Sequence, residues 1–134
     1  MTGESILIVE DDGLIALRIQ ELLISSGYRV PEPLASGEEA IEQLSHTSSD
    51  LIIMHIGLIG NIDGLETARQ IRNRYDIPVI FLTAYADDLR LAHGRDISPY
   101  GYMIKPFRDD KLIGCIQSAL IRDTFESGLE SSVR

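Results

Sequence analysis

Five short apolar runs, separated by stretches with helical periodicity, constrain the fold of this chain more than any other feature of its sequence. The runs cover residues 5–9, 28–30, 50–55, 78–83 and 100–104. Most are apolar almost throughout, as expected of strands that are covered on both faces. In the intervening segments, apolar residues recur at spacings of three and four, which is typical of one face of a helix. Strands that alternate with helices favour βα units and a parallel sheet.

Local signals predict where the helices begin and end. The predicted helices cover residues 13–26, 36–45, a stretch around 65–71, 87–93 and 109–125. We expect Gly27 to end the first helix, and Ser36 with Glu39 to form a capping box at the start of the second. Residues 1–125 are predicted to form one domain, and residues 126–134, which are polar and aperiodic, a tail or the start of a linker.

Five strands and five helices in alternation predict an α/β fold with a doubly wound, three-layer αβα architecture and the strand order 2-1-3-4-5. Pro31 and Pro33 interrupt the second strand, so we expect it at the sheet edge. In such sheets, ligands bind at the carboxyl ends of the strands, at the switch point between strands 1 and 3.

Polar residues are concentrated at those strand ends. They are Glu10, Asp11 and Asp12 after strand 1, His55 at the end of strand 3, Thr83 at the end of strand 4 and Lys105 after strand 5. Neighbouring carboxylates repel unless a cation joins them, and oxygen ligands suit Mg²⁺. Each residue alone has an ordinary explanation: Asp12 as a helix N-cap, and Thr83 and Lys105 as solvated side chains. Their coincidence at four strand ends favours a site for a phosphoryl group bridged by a metal.

Composition excludes several classes of function. The net charge of −9 disfavours direct contact with nucleic acid, whose phosphates attract clustered Lys and Arg. A single cysteine, Cys115, rules out an internal disulfide, and its apolar neighbours indicate a core residue. No apolar run reaches the length of a membrane span, and the first residues do not resemble a secretion signal. We therefore expect a cytoplasmic protein.

Four motifs carry a family resemblance: Ile6–Asp12, Asp63–Glu66, Pro78–Ala84 and Gly101–Phe107. With these motifs the chain resembles, over residues 4–122, the receiver domain of two-component response regulators. The resemblance implies a flavodoxin-like fold and a non-enzymatic signalling role. It also implies a histidine kinase or phosphotransfer domain as partner, and an effector or sensor domain after Arg134. A homodimer through the fourth helix, fifth strand and fifth helix is a further expectation, with Tyr85, Tyr100 and Tyr102 near that face.

The resemblance also implies roles for individual residues. Glu10, Asp11 and the backbone carbonyl of Gly57 would hold Mg²⁺, with Asp11 as a direct ligand and Glu10 acting through water. Thr83 and Tyr102 would form the switch that responds to the phosphoryl group. Lys105 would pair with the phosphoryl oxygens, and the Lys105-Pro106 bond would be cis.

The chain departs from the family at His55, which stands where receivers carry the phosphoryl-accepting aspartate. Imidazole has no negative charge and an ordinary pKa of about 6.5, so Mg²⁺ binding should weaken. The favoured hypothesis is a pseudo-receiver that signals by a fixed surface. Others are regulation by a partner, a metal such as Zn²⁺, or pH; a phosphorylated histidine; and an engineered substitution in a conventional receiver.

Two alternatives from other classes of function would use the same polar residues at the strand ends. A small metal-dependent phosphatase would need a nucleophile or activated water that the sequence does not identify. A flavin site is disfavoured because the acidic residues after strand 1 would repel its phosphate. Asp63 could approach the pocket as a substitute acid, whereas His46 and His93 read as solvated surface residues.

Overall fold

The computed structural model describes the backbone of residues 3–84 and 101–133 and the side chains of residues 3–84 and 101–122. Within these residues, four parallel strands form one sheet in the order β1-β2-β3-β4. The strands are β1 (Ile6–Val9), β2 (Leu51–His55), β3 (Val79–Thr83) and β4 (Gly101–Ile104). The helices are α1 (Gly13–Ser25), α2 (Gly37–Leu44), α3 (Gly64–Arg74) and α4 (Asp109–Val133).

The segment predicted as the second strand lies beside β1, but it is not a continuous strand. It makes isolated parallel bridges, Ser5 to Arg29 and Val9 to Leu34. The amide of Leu34 donates to the carbonyl of Ile8 at 2.9 Å. Prolines 31 and 33, which lie between the bridges, have no N–H to donate, so the ladder is interrupted there. The predicted order 2-1-3-4-5 is thus confirmed, with its first member reduced to two bridges.

In the part of the chain that the structure describes, buried side chains form two clusters, one on each face of the sheet. Successive strand residues point to opposite faces, so odd and even positions of β1 enter different clusters. Leu7, Val9 and Phe81 pack with residues of α2 and α3, whereas Ile6 and Ile8 pack with residues of α1 and α4. This confirms the three-layer architecture. Cys115 packs against the second cluster, as predicted, and burial raises the pKa of its thiol.

The predicted caps of the first two helices are confirmed. Asp12 begins α1, and its side chain accepts hydrogen bonds from the amides of the first turn. Ser36 begins α2 by accepting a hydrogen bond from the amide of Glu39 at 3.2 Å, and its hydroxyl donates to the Glu39 carboxylate at 3.0 Å. Gly27 follows the end of α1 with φ of +97°, a conformation that glycine adopts without strain.

The predicted end of the last helix is wrong, because α4 continues from Asp109 to Val133 and does not stop at Phe125. Whether the domain ends near residue 125 stays a prediction. The helix predicted over 87–93, together with Tyr85, Tyr100 and His93, lies outside the described residues. Of the helices that the structure describes, none combines the length and the apolar character needed to cross a bilayer.

Candidate functional site

The carboxyl ends of the four strands bring the predicted polar residues to one rim of the sheet. His55 ends β2 and Thr83 ends β3, and the register pairs Val9 with Met54 and His55 with Leu82. Glu10 and Lys105 directly follow β1 and β4. Glu10 and Thr83 are buried, whereas His55 and Lys105 are partly exposed.

Lys105 lies at the centre of this rim. Its ammonium Nζ donates to Glu10 Oε1 at 2.6 Å and contacts His55 Nδ1 at 3.0 Å. An ammonium group only donates, so Nδ1 accepts and the proton of a neutral imidazole is assigned to Nε2. The structure therefore brings three of the predicted site residues into direct contact.

Glu10 is the buried acid of the rim, with only 1% of its side chain exposed. One of its oxygens is bound by Lys105, and the other accepts a hydrogen bond from the amide of Asp12 at 3.2 Å. Buried charges persist only when they are paired and hydrogen-bonded, and Glu10 meets both conditions. Both of its oxygens are thus engaged by residues of the chain itself.

Asp11 and Gly57 border the opposite side of the imidazole. Asp11 Oδ1 lies 3.8 Å from His55 Nε2, which is longer than a hydrogen bond. A Cβ on Gly57 would lie 3.2 Å from the same nitrogen, so the backbone at Gly57 passes close to the ring. Glu10, Asp11 and His55 each bring a potential ligand atom into a cluster with spacings of no more than 4.8 Å.

This donor set fits Mg²⁺ poorly. Mg²⁺ prefers oxygen ligands in octahedral geometry, whereas residue 55 offers a nitrogen. The two carboxylates and the ammonium leave one net negative charge at the rim, and an aspartate at residue 55 would have added another. Lys105 already neutralises Glu10 by direct contact. The rim therefore lacks the excess of carboxylates that would attract a hard divalent cation.

Thr83 and Tyr102 occupy different environments. Thr83 is 1% exposed, and its backbone carbonyl accepts a hydrogen bond from the amide of Lys105 at 2.7 Å. Tyr102 pairs with Phe81 in the sheet, and 54% of its surface is exposed. Thr83 is thus part of the rim, whereas Tyr102 lies on the surface of β4. Their roles as a switch stay a prediction.

Two features near the rim were not expected from the sequence. The carboxylate of Asp63 caps α3 by accepting a hydrogen bond from the amide of Glu66 at 2.8 Å, which leaves it poorly placed to replace an acid in the pocket. Arg18 of α1 pairs with Asp109 and lies over the ring of Phe107, 5.6 Å from its centroid. This contact ties α1 to the segment that follows the cis Lys105-Pro106 bond. The sequence around Arg18, where apolar residues flank the arginine, does not indicate this contact with Asp109 and Phe107.

Comparison with known proteins agrees with this arrangement. The family model described as the response regulator receiver domain matches residues 6–117. The transcriptional regulatory protein PdtaR of Mycobacterium tuberculosis is 31% identical over 96% of this chain and 62% of its own length. The transcriptional regulatory protein YvrH of Bacillus subtilis is 36% identical over 98% of this chain and 55% of its own length. The chain thus spans little more than half of these longer relatives.

Solved structures show the same fold. The N-terminal domain of a response regulator, sensory box and GGDEF three-domain protein from Carboxydothermus hydrogenoformans is 35% identical, with a TM-score of 0.83 over 94% of this chain and 99% of that chain. The receiver domain of a sensor histidine kinase from Pseudomonas aeruginosa is 30% identical, with a TM-score of 0.78 over 88% of this chain and 98% of that chain. That structure has a magnesium ion coordinated in its active site cleft.

Proposed function

The chain belongs to the response regulator receiver domain family, and we propose that it is a signalling module that works without phosphorylation of residue 55. The observation that carries this proposal is the contact of Lys105 Nζ with both Glu10 Oε1 and His55 Nδ1. Through this contact, the Lys105 ammonium occupies one oxygen of Glu10 and the lone pair of His55 Nδ1.

The chemistry of the imidazole supports the proposal. A nucleophile needs a free electron pair that faces the phosphoryl donor. The pair on Nδ1 points to the Lys105 ammonium at 3.0 Å, and the assigned proton occupies Nε2. Neither nitrogen is therefore ready to attack. Glu10, whose oxygens are both bonded, is no better placed to take up the group.

Partners follow from the family and from the surface of the sheet edge. A histidine kinase or phosphotransfer domain would dock without transferring a phosphoryl group to residue 55. Output would pass to an effector or sensor domain after Arg134, or to a second copy of the chain. Tyr102 and Ile104 of β4 and Ile121 of α4 are exposed apolar residues, which supports the choice of this surface for contact with a partner.

The experiment is the intact mass of the protein after incubation with acetyl phosphate and Mg²⁺. We expect no phosphoryl adduct on the chain with His55 and one adduct on His55→Asp, because aspartate supplies both the nucleophile and the missing ligand. His55→Asn is the matched control, since asparagine has the shape of aspartate without its nucleophilic oxygen. An adduct on the chain with His55 that His55→Asn abolishes would overturn the proposal.

A further inference from the structure

A cavity of about 580 Å³ lies at the amino ends of β1 and β2, at the end of the sheet opposite the rim. We infer that this cavity is a binding site for a small zwitterion, either a free amino acid or a short peptide. Ligand pockets have volumes of about 300–1,000 Å³, so the cavity has room for such a molecule. The inference goes beyond the proposed function and does not depend on residue 55.

The interrupted second strand leaves the space for this cavity. Residues 29–31 line one side of it. After the bridge between Arg29 and Ser5, the next bridge to β1 comes only at Leu34. The other side is formed by the end of α2 and by residues 47–50, which lead into β2. The cavity therefore follows from the prolines that break the strand at the sheet edge.

Two opposite charges line the cavity on either side of Ser5. Arg29 bridges Ser5 from the edge segment, and the amide of Asp50 donates to the Ser5 carbonyl at 2.8 Å. Neighbouring strands lie about 4.7–4.9 Å apart, so the backbones of Arg29 and Asp50 are about 10 Å apart. Both residues are exposed, so a ligand reaches them from solvent.

Backbone contacts hold both charged side chains and leave part of each for a ligand. Arg29 Nε donates to the carbonyl of Gly3 at 2.7 Å, which leaves the terminal nitrogens of the guanidinium for another acceptor. Asp50 Oδ2 accepts from the amide of Ser5 at 2.8 Å, which leaves Oδ1. Neither side chain forms an ion pair with a residue that the structure describes. A guanidinium binds a carboxylate by parallel hydrogen bonds, and a carboxylate binds an ammonium, so a zwitterion satisfies both.

The remaining lining selects a small polar molecule. The side chains of Gln43, Ser48 and Ser49 make no hydrogen bond within the described part of the chain and offer neutral donors and acceptors. Apolar contact comes from Leu7, Val30 and Pro31. The carboxylate of the cavity would repel a simple anion, and its guanidinium would repel a simple cation. A ligand with both charges is the class that this lining favours.

The test is a titration of the whole chain with single amino acids and with triglycine, followed by ¹H–¹⁵N NMR spectra. For at least one probe we expect saturable shifts at residues 29–31 and 47–50, and none at His55 or Lys105. The N-acetyl and carboxamide derivatives of that probe each lack one charge and should bind at least about tenfold more weakly, because a hydrogen bond between charged groups is lost.

Variants assign each charge of the ligand to its partner. Arg29→Gln should weaken the zwitterion about tenfold but should not weaken the carboxamide further, since that derivative has no carboxylate for Arg29. Asp50→Asn, which keeps an acceptor for the Ser5 amide, should in the same way leave the N-acetyl derivative unaffected. Equal binding of the zwitterion and its two derivatives would overturn the inference.

An exposed pair near the rim provides the control. Arg108 and Asp110 lie 3.0 Å apart, and Arg108→Gln and Asp110→Asn remove the same charges away from the cavity. Both variants should bind the zwitterion as the unchanged chain does. The inference fails if no probe gives saturable shifts, if the shifts centre on the rim, or if the control variants weaken binding as much as Arg29→Gln. The proposed function is tested separately, by phosphoryl uptake of the chain with His55.

Discussion

Replacing Lys105 with methionine tests whether its ammonium holds the rim together. Methionine keeps much of the length of the side chain but not the charge. Glu10, which is 1% exposed, would lose the partner at 2.6 Å and keep the hydrogen bond from the amide of Asp12 at 3.2 Å. Removal of one partner from a buried ion pair costs about 3–5 kcal/mol. We expect about 3 kcal/mol, the lower end, because His55 and Asp11 are partly exposed and admit water.

A double variant separates the loss of the pair from the loss of packing. In Glu10→Gln with Lys105→Met, no charge is left without a partner, so the cost of an isolated buried carboxylate disappears. Interaction energies between residues in contact reach about 0.5–3 kcal/mol, and we expect about 2 kcal/mol for this pair. The double variant should therefore be less destabilised than the sum of the two single variants.

Urea unfolding followed by circular dichroism measures these differences. With a slope of about 1.5 kcal/mol/M, a loss of 3 kcal/mol moves the midpoint down by about 2 M. The slope itself should not change, because the buried area of the fold is the same. A loss of less than about 1 kcal/mol for Lys105→Met, or single variants that add up to the double, would show that the ammonium is solvated and would refute the reasoning.

Three further predictions concern other parts of the molecule. Gly64→Ala would place a Cβ 2.1 Å from the carbonyl oxygen of His55 and should strongly destabilise the folded protein. Gly114→Ala, whose Cβ would have nothing within 4 Å, should stabilise it by about 0.5–1 kcal/mol. Similar changes in melting temperature for the two variants would contradict this. Burial raises the pKa of Tyr28, so the folded state holds this proton more tightly than the unfolded state. The stability that this shift contributes to the fold is complete below about pH 10 and is lost as pH rises through the raised pKa of Tyr28. Tyr28→Phe should remove that loss of stability in alkaline unfolding curves. Burial likewise raises the pKa of the Cys115 thiol, so iodoacetamide should react more slowly with the folded protein than in urea, and equal rates would contradict the burial.

The strands could be predicted because each ends where apolar residues give way to polar ones. In β2, Leu51 to Met54 are buried and His55 is partly exposed, so the change in burial coincides with the change in polarity. The end of α4 could not be predicted in this way. The prediction depended on an apolar stripe that packs on the sheet, and residues 126–133 continue the helix without such a stripe.

The rim could be predicted as a set of residues, but its contacts could not. The parallel sheet alone brings Glu10, His55, Thr83 and Lys105 to one edge. A lysine side chain has a flexible four-carbon stem, and its partner depends on which acid is buried and which is solvated. The sequence indicated that a cation would have to join the neighbouring acids, and it suggested Mg²⁺ for that place. In the structure Lys105 takes that place, and the imidazole accepts from it.

The contact of Lys105 with His55 limits how this receiver can be regulated. A phosphoryl group would have to compete for an ammonium that already binds Glu10 at 2.6 Å, and it would find no carboxylate at residue 55 to carry it. Partly exposed Asp11 and buried Thr83 lie at the same rim. An input that acts through this pocket must therefore displace Lys105 from His55.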